Sequence, residues 1–540
     1  MAEDTVTLKI NGKEVTTKKG NMILQAAEQA GILIPHFCYH KHLSIAGNCR
    51  MCLVEVEGWP KLVISCATMA QEGMVVHTNN EKVRKAVTSV LEFILLNHPV
   101  DCPICDQSGE CGLQDYYMEY GLHDSRMPLK EKHRKRKVVD LGPTIVLDTE
   151  RCILCSRCIR FCDEVSKTSE LAFIRRGGKM EITSFENRPL DNPYSLNTVE
   201  ICPVGALTSK DFRFKCRVWF LKTINSVCDH CSTGCNIYAE YHQNKIYRFR
   251  PRQTDYVNKT WMCDEGRLSY KALYSRERVE TPMLQIKGKL QPSSWNDALD
   301  SIHKTVETVI SEKGPAGIGV IASPKLSTEE LFSLKEFFGN LIKTPNIDFR
   351  VDDGFQTNKK MEDDVLRRVD KNPNTLGAML LKIFPTENGA DIKGMISKID
   401  KGDLKMLFLV TDDILKKEDS EKIKHSLEKV EHLILVTPFK SELFKSCEVI
   451  LPLKTYMEKD GTFINAQGRI QKFHRVINPP HEAASLVEII NGLLQMREHQ
   501  IDLSSIEKVF LRMGSQHLFF EGITFEGIPD IGIQLKIGEV

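Results

Sequence analysis

Seventeen of the eighteen cysteines lie before residue 264, and most stand at separations that let neighbouring thiolates reach one metal centre. Cys152, Cys155, Cys158 and Cys162 form C-x2-C-x2-C-x3-C, with Cys202-Pro203 forty-odd residues later. That run holds iron and sulfide in known clusters, whereas a zinc ribbon asks for two separated C-x2-C pairs. Cys38, Cys49, Cys52 and Cys66 form C-x10-C-x2-C-x13-C. Four thiolates in one wrapped loop suit a 2Fe-2S centre, whose sulfides also need backbone N–H donors, and the small Ala46 and Gly47 let the backbone come close. Cys102, Cys105 and Cys111 lack a fourth partner, which His98 supplies as H-x3-C-x2-C-x5-C. A neutral imidazole in place of a thiolate makes a cluster less negative and raises its potential. Cys228, Cys231, Cys235 and Cys263 form C-x2-C-x3-C-x27-C. Structural zinc is the alternative for the Cys38, Cys152 and Cys228 sets and weighs most for the last, whose first three cysteines are unspecific by themselves, while for His98 the alternative is an ordinary surface histidine.

The rest of the chain has to position these groups. Lys and Arg number 73 against 72 Asp and Glu in 540 residues, so no net field draws the chain to nucleic acid or anionic lipid. Met1-Ala-Glu-Asp-Thr leads straight into a strand pattern, with no signal peptide, so a reducing compartment and metal-bound thiolates are expected rather than disulfides. The apolar run at 90–96 is far too short to cross a bilayer. Residues 5–10 alternate as a strand, Asn11-Gly12 is a hairpin turn, and residues 14–17 return. A helix is expected over 22–31 and a strand over 53–56. Asn79-Asn80-Glu81 reads as the start of a second helix. Val83, Val87, Val90, Leu91, Ile94 and Leu95 recur on its buried face, and Pro99 ends it by disfavouring helical geometry at His98. The basic run from Arg126 to Lys137 reads as a solvated linker, with a contact to an acidic neighbouring subunit as the sharper alternative.

The C-x2-C-x2-C-x3-C run followed by C-P resembles bacterial two-cluster ferredoxins, in which three close thiolates share a cluster with a fourth from the other half of the fold. That resemblance pairs Cys152, Cys155 and Cys158 with Cys202. The mirrored positions for a second cluster hold Asn192, Ser195 and Thr198, which implies that one cluster has been lost and that Cys162 has no metal. The hairpin, helix, cysteine loop and later strands of the first 80 residues resemble a β-grasp ferredoxin, similar to the first domain of respiratory complex I and of iron-only hydrogenases. His98-Pro-Val-Asp-Cys-Pro-Ile-Cys-Asp-Gln-Ser-Gly-Glu-Cys-Gly-Leu-Gln-Asp115 resembles the His-plus-three-Cys motif of the large iron-sulfur subunit of complex I (NADH:quinone oxidoreductase). The resemblance implies a 4Fe-4S cluster at His98, Cys102, Cys105 and Cys111. Cys263 sits in Trp261-Met-Cys-Asp-Glu-Gly-Arg-Leu268, and its set resembles the small 4Fe-4S domain that opens molybdopterin oxidoreductases. Only some bacterial members of the family carry that extra cluster, which implies a place off the main electron route. On this pairing Cys162, Cys216 and Cys447 remain as free buried thiols.

Past residue 278 short apolar strands at 317–322, 406–410 and 433–436 alternate with helical stretches at 328–341 and 420–430, an α/β pattern with a mainly parallel sheet. Gly317-Ile-Gly-Val-Ile-Ala322 nominally fits a dinucleotide fingerprint. Its glycines lie inside the strand rather than in the turn after it, so it is set aside. Met457-Glu-Lys-Asp-Gly-Thr-Phe-Ile-Asn-Ala-Gln-Gly-Arg-Ile-Gln471 resembles the late core of molybdopterin oxidoreductases. Complex I carries such a domain emptied of its cofactor, and with Cys447 as the lone candidate ligand no molybdopterin is expected.

The expected fold is therefore α+β and multidomain. Residues 1–80 form a 2Fe-2S β-grasp domain, 81–120 the His-plus-three-Cys 4Fe-4S domain and 121–220 a bacterial-ferredoxin-like domain with one 4Fe-4S cluster. Residues 221–277 form a molybdopterin-oxidoreductase-type 4Fe-4S domain, and 278–540 a degenerate molybdopterin-oxidoreductase-like α/β domain. No phosphate loop, nucleophile motif or carboxylate-histidine set marks a site for an organic substrate, so no catalytic residue is assigned. One 2Fe-2S and three 4Fe-4S clusters make a relay. The resemblance implies that it takes electrons from a flavin-bearing, NADH-binding subunit and passes them towards quinone. Its partners would be other peripheral-arm subunits, the membrane arm only indirectly, at the cytoplasmic face of the bacterial inner membrane. The alternatives are an electron-transfer subunit of an NAD-linked hydrogenase or formate dehydrogenase and, more distantly, a zinc scaffold without redox function.

Overall fold

The computed structural model describes residues 4–185, 188–350, 362–416 and 420–537. The chain divides into two compact units, Met1–Leu221 and Lys222–Val540.

In the first unit β1 (Thr5–Ile10) and β2 (Lys13–Lys18) form the expected hairpin, with Asn11 and Gly12 at positive φ in the turn. Helix α1 (Ile23–Gln29) buries Ile23, Leu24, Ala26 and Ala27. Strands β3 (Leu53–Val56), β4 (Val63–Ile64) and β5 (Val75–His77) complete a sheet of order β2-β1-β5-β3-β4, in which β1 and β5 run parallel. Helix α2 (Glu81–Leu95) opens on Asn80, whose side chain accepts from Val83 N–H at 3.0 Å. It buries Val83, Val87 and Leu91 and stops short of His98, whose N–H still reaches the Leu95 carbonyl at 3.1 Å. Helix α3 (Gly112–Tyr120) follows the next cysteines. The ferredoxin-like part contains β6 (Val139–Asp140), β7 (Ile145–Leu147), α4 (Arg157–Glu164), the hairpin β8 (Leu171–Ile174) and β9 (Glu181–Ser184), α5 (Asn197–Glu200) and β10 (Leu207–Ser209). Here β10, β7 and β6 make an antiparallel sheet.

The basic run is not a free linker. Arg126 pairs with Glu92, Lys132 donates to the carbonyls of His98 (2.6 Å) and Leu95 (3.3 Å), and Lys135 donates to the Met180 carbonyl at 2.5 Å. Lys137 meets Asp101 at 3.1 Å and Glu150 at 3.0 Å. The run is a strap whose cations cap the open end of α2 and neutralise carboxylates on its way past.

The second unit starts with an antiparallel sheet of β11 (Lys222–Val227), β12 (Asn236–His242) and β13 (Lys245–Pro251), then α6 (Asp264–Leu268). Strands β14 (Met283–Ile286) and β15 (Lys289–Pro292) precede α7 (Trp295–Lys313), β16 (Ile318–Ile321), α8 (Thr328–Leu334) and β17 (Asn346–Asp348). Next come α9 (Thr375–Leu380), α10 (Ile392–Asp400), β18 (Met406–Val410), α11 (Ser420–Leu427), β19 (His432–Thr437) and β20 (Val449–Pro452). The sheet order is β15-β14-β20-β19-β18-β16-β17, with the five strands from β20 to β17 parallel. A parallel sheet is covered on both faces. Accordingly Met406, Phe408 and Val410 pack into one core while Leu407 and Leu409 pack into another. The helix expected over 328–341 changes to a π turn at Lys335–Leu341. A second small sheet joins β21 (Gly461–Ile464), β22 (Arg469–Phe473) and β23 (Ile533–Gln534), with α12 (Leu486–Met496) and α13 (Ile506–Gln516) between the last two. No helix among the described residues is long and apolar enough to cross a membrane.

At the start of β19, His432 Nδ1 lies 2.5 Å from Glu448, and this hydrogen bond holds the imidazole pKa above 6.5. A folded pKa above the unfolded one gives stability that is complete below pH 6.5 and lost as pH rises through the folded pKa. Hydrogen exchange of the β19–β20 peptides should therefore be slower in the wild type than in His432→Gln at pH 6, by about 1 kcal/mol or less. The difference should vanish at alkaline pH.

Candidate iron–sulfur sites

The first cysteine set is held by the β-grasp sheet. Cys52 opens into β3 and Cys66 lies in the turn Ser65–Ala67 after β4, so two thiols come from rigid strand ends. Cys38 and Cys49 come from the intervening loop. Cys38, Cys52 and Cys66 are buried and Cys49 is half-buried. The N–H groups of Phe37 and Cys38 both donate to Cys49 Sγ at 3.4 Å, which provides the backbone-to-sulfur donors that a cluster's negative charge requires. Gly47 sits at φ +61, where a Cβ would come within 3.1 Å of Ile64 Cδ1. Hydrogen bonds from Cys49 and Cys66 push the Cys38 thiol down, and Cys66 likewise pushes Cys52 down to about 7. The same contacts push Cys49 and Cys66 up, so Cys38 meets Cys49 and Cys66, and Cys66 meets Cys52.

In the second set Cys102 starts the turn Cys102–Ile104 and Cys111 caps α3. His98 lies just past α2, with Val100 N–H donating to its Nδ1 at 3.1 Å and Lys132 fixing its carbonyl. Burial lowers the imidazole pKa to about 4, so the ring is neutral at physiological pH, the form able to bind a metal. Asp101 takes a two-pronged pair from Arg151, at 3.1 and 2.9 Å. Although burial pushes that carboxyl up, the hydrogen bonds from Arg151 and Lys137 hold it at about 2. One ion pair therefore ties the residue before Cys102 to the residue before Cys152.

In the third set Cys152, Cys155, Cys158 and Cys202 line one cavity, whose other walls are Arg157 and the aliphatic side chains of Leu147, Ile153, Ile182, Val204, Ala206 and Leu207. Two non-glycine residues between the first cysteines, Leu154 (φ 58) and Ser156 (φ 63), adopt left-handed backbone, the kind of local strain kept where a loop must turn its side chains to one point. Burial pushes Cys152 up to about 12 and Cys155 up to about 11. Burial favours the neutral form of all four thiols, so metal binding must release their protons.

Cys162 does not line that cavity. It is buried beside Glu170, which accepts from Asn192 at 2.7 Å and Thr168 at 2.6 Å. Ser195 pairs with Thr144 at 3.0 Å, and Thr198 donates to the Ser195 carbonyl at 2.7 Å. Asn192, Ser195 and Thr198 are all buried, so hydrogen-bonded polar side chains fill the region that the mirrored spacing assigns to a second cluster. Cys162→Ser should leave the iron content and every low-temperature EPR signal of the chain unchanged. Loss of any signal would reassign the fourth ligand.

In the fourth set Cys228 follows β11 and Cys235 precedes β12, joined by the bond from Cys228 N–H to the Cys235 carbonyl at 2.9 Å. Cys263 caps α6, accepting from Gly266 N–H at 3.3 Å. A Cβ on Gly266 would lie 2.9 Å from Cys228 Sγ and 3.3 Å from Cys263 Sγ, so this glycine leaves the room the sulfurs use. All four cysteines are buried. The β21–β22 turn braces the loop: Asn465 donates to the Thr233 carbonyl at 3.1 Å and Gln471 to the Gly234 carbonyl at 2.9 Å. The segment at 457–471 thus acts on the cysteine loop from more than 200 residues away.

Within the first unit the sets are neighbours. Gly112 N–H donates to the Pro203 carbonyl at 3.1 Å, joining Cys111 to Cys202, and a Cβ on Gly205 would come within 2.3 Å of Cys105 Sγ. Arg157 and Arg160 of α4 donate to the carbonyls of Tyr39 and Cys38. These two arginines, the Arg151–Asp101 pair and Gly205 escaped the sequence reading. Arginines one turn apart beside cysteines were the available signal, but their acceptors lie more than 100 residues away. Among the described residues no three His, Cys, Asp or Glu side chains are gathered as a single metal ion requires. A cluster spreads its ligands over several irons.

The seven-stranded sheet of the second unit has a topological switch point. The sheet order puts the switch point, where open α/β sheets bind ligands, between β16 and β18. There Asp413 accepts from Ser323 at 3.2 Å and from Thr411 at 2.8 Å, and the neighbouring Asp412 pairs with Arg276 at 2.7 Å. Cys447 is buried, with its thiol on the Leu443 carbonyl at 3.2 Å.

Five family profiles match the chain. The 2Fe-2S iron-sulfur cluster binding domain covers residues 3–81, the NADH-ubiquinone oxidoreductase-G iron-sulfur binding region 88–126, and the NADH-quinone oxidoreductase subunit 3 ferredoxin-like domain 142–208. The molybdopterin oxidoreductase Fe4S4 domain covers 221–275, and molybdopterin oxidoreductase 278–364 and 372–496. The chain is 31% identical to the G-type subunit of NADH-quinone oxidoreductase from Rickettsia felis, over 96% of its own length and 91% of the relative. It is 30% identical to the mitochondrial NADH-ubiquinone oxidoreductase 78 kDa subunit of Candida albicans, over 95% and 85%. Among solved structures, a chain of an NAD+-reducing [NiFe]-hydrogenase aligns at 30% identity over 39% of this chain and 90% of that one, with a TM-score of 0.36.

Proposed function

The chain belongs to the family of G-type subunits of NADH-quinone oxidoreductase and is an electron-relay subunit of that complex, and from this premise we propose which of its side chains hold the relay. Cys38, Cys49, Cys52 and Cys66 hold a 2Fe-2S cluster. Three 4Fe-4S clusters are held by His98 with Cys102, Cys105 and Cys111, by Cys152, Cys155, Cys158 and Cys202, and by Cys228, Cys231, Cys235 and Cys263. Residues 1–80, 81–120, 121–220 and 221–277 are their modules, and 278–540 carries no molybdopterin. When bound, iron–sulfur clusters take up and release single electrons with little change of shape.

The protein's own part is to place and insulate. The cavity wall around Cys202 is aliphatic apart from Arg157. Contacts through Pro203 and through the α4 arginines put the Cys152–Cys202 site between the other two sites of its unit. Electrons then enter from a flavin-bearing NADH subunit and leave towards quinone through other peripheral-arm subunits, on the cytoplasmic side of the membrane. The observation that carries this reading is the single cavity lined by Cys152, Cys155, Cys158 and Cys202 with Cys162 left outside.

Metal analysis of the purified complex tests it. About fourteen irons with matching acid-labile sulfide are expected for this chain, two plus three times four. Zinc without sulfide would overturn the assignment. Cys263→Ser should cost about four of those irons and leave most of the NADH-to-quinone flow, since the fourth site lies outside the unit that holds the other three. Loss of most of the flow would put that centre on the main route.

A further inference from the structure

Arg157 stands between two of the cysteine sets. It forms part of the wall of the cavity lined by Cys152, Cys155, Cys158 and Cys202. Its Nη1 donates at 3.1 Å to the carbonyl of Ile201, the residue before Cys202. Its Nη2 donates to the carbonyl of Tyr39, the residue after Cys38. Its charge faces Cys155 and Cys202 of one set and Cys38 and Cys49 of the other. One turn along, Arg160 donates to the Cys38 and Ser44 carbonyls and to Ser156 Oγ at 3.2 Å, so that α4 is clamped to the first loop by two guanidinium groups.

The Nε–H of Arg157 is buried and has no acceptor among the described residues. A buried donor left unpaired is costly, and here four thiols line the same cavity, the site proposed to hold a cluster whose sulfurs accept hydrogen bonds. We infer that Arg157 tunes two centres at once. Its Nε–H donates to sulfur of the cluster held by Cys152, Cys155, Cys158 and Cys202, and its positive charge favours the reduced state of that centre and of the 2Fe-2S centre together. This inference rests on the ligand assignment proposed above. Reduction adds one negative charge to a cluster, and a fixed cation close by offsets it most where burial limits screening by solvent and salt. Only arginine supplies the fork, because its planar head reaches two carbonyls and still presents a third N–H.

The test is an EPR-monitored redox titration of the assembled complex carrying Arg157→Gln or Arg157→Lys. The Gln variant should lower the reduced-to-oxidised ratio at fixed potential about tenfold at both centres, a 59 mV shift for a one-electron couple, with the His98 centre unmoved. The Lys variant keeps the charge and loses the Nε–H, so it should restore the 2Fe-2S centre and bring the 4Fe-4S centre only part of the way back. Unmoved potentials, movement of only one centre in the Gln variant, or an equal shift of all centres would each overturn the proposal. If the Gln variant fails to assemble, the Lys variant decides, and loss of either centre there makes Arg157 a scaffold residue and ends its tuning role. Absence of both signals from the wild type would instead strike the ligand assignment.

Discussion

Cys202→Ala is expected to abolish the centre shared with Cys152, Cys155 and Cys158 and to cut NADH-to-quinone flow by more than about 100-fold, beyond the 10–100-fold that loss of an outer hydrogen-bond partner costs a metal site. Three facts set the size of the effect. The four thiols line one cavity whose other walls, Arg157 apart, are aliphatic, so removing one is expected to leave an iron of the proposed cluster without a protein ligand. Cys162, the spare thiol of the motif, lies one turn beyond Cys158 on α4, beside Glu170 and outside the cavity lining. The site also lies between its neighbours, in contact with the first loop through Arg157 and with Cys111 through Pro203. The measurements are rotenone- or piericidin-sensitive NADH oxidation, iron content and low-temperature EPR. Near-normal flow with about four irons missing would show that electrons bypass this centre.

His98→Ala should remove or strongly alter a single EPR signal and leave the other three, with a loss of flow of similar order. His98→Cys is the sharper variant. A thiolate in place of the neutral ring adds a negative charge to the centre, so the cluster should persist with a midpoint potential about 100 mV or more lower, the direction that separates cysteine-ligated from histidine-ligated 2Fe-2S proteins. The ring is held neutral by burial, and its backbone is pinned by Lys132, so the substitution changes the ligand and leaves the frame intact. Unchanged spectra in both variants would remove His98 from the ligand set.

Much of this was legible in the chain itself. The hairpin at Asn11-Gly12, the Asn80 cap of α2 and the runs that became β18 and β19 are local patterns, set by turn chemistry and by apolar alternation over a few residues. The candidate ligand sets are local too, since three thiols within about ten residues are bound to meet. The basic run from Arg126 to Lys137 is largely exposed, as expected of a solvated stretch. Its partners, the carbonyls of α2 and the carboxylates of Asp101, Glu150 and Glu181, come from both earlier and later in the chain and are not legible in the run itself.

The sequence by itself determined which atoms are available as ligands and which module each belongs to, because short spacings bound how far apart the sulfurs stand. The ferredoxin resemblance already implied that Cys202 and not Cys162 joins Cys152, Cys155 and Cys158; tertiary structure alone decided that three of the sites adjoin in one compact unit and that a guanidinium lies between two of them. Those contacts join residues 44 to 118 positions apart, a range over which chain connectivity constrains little and only packing brings two groups together.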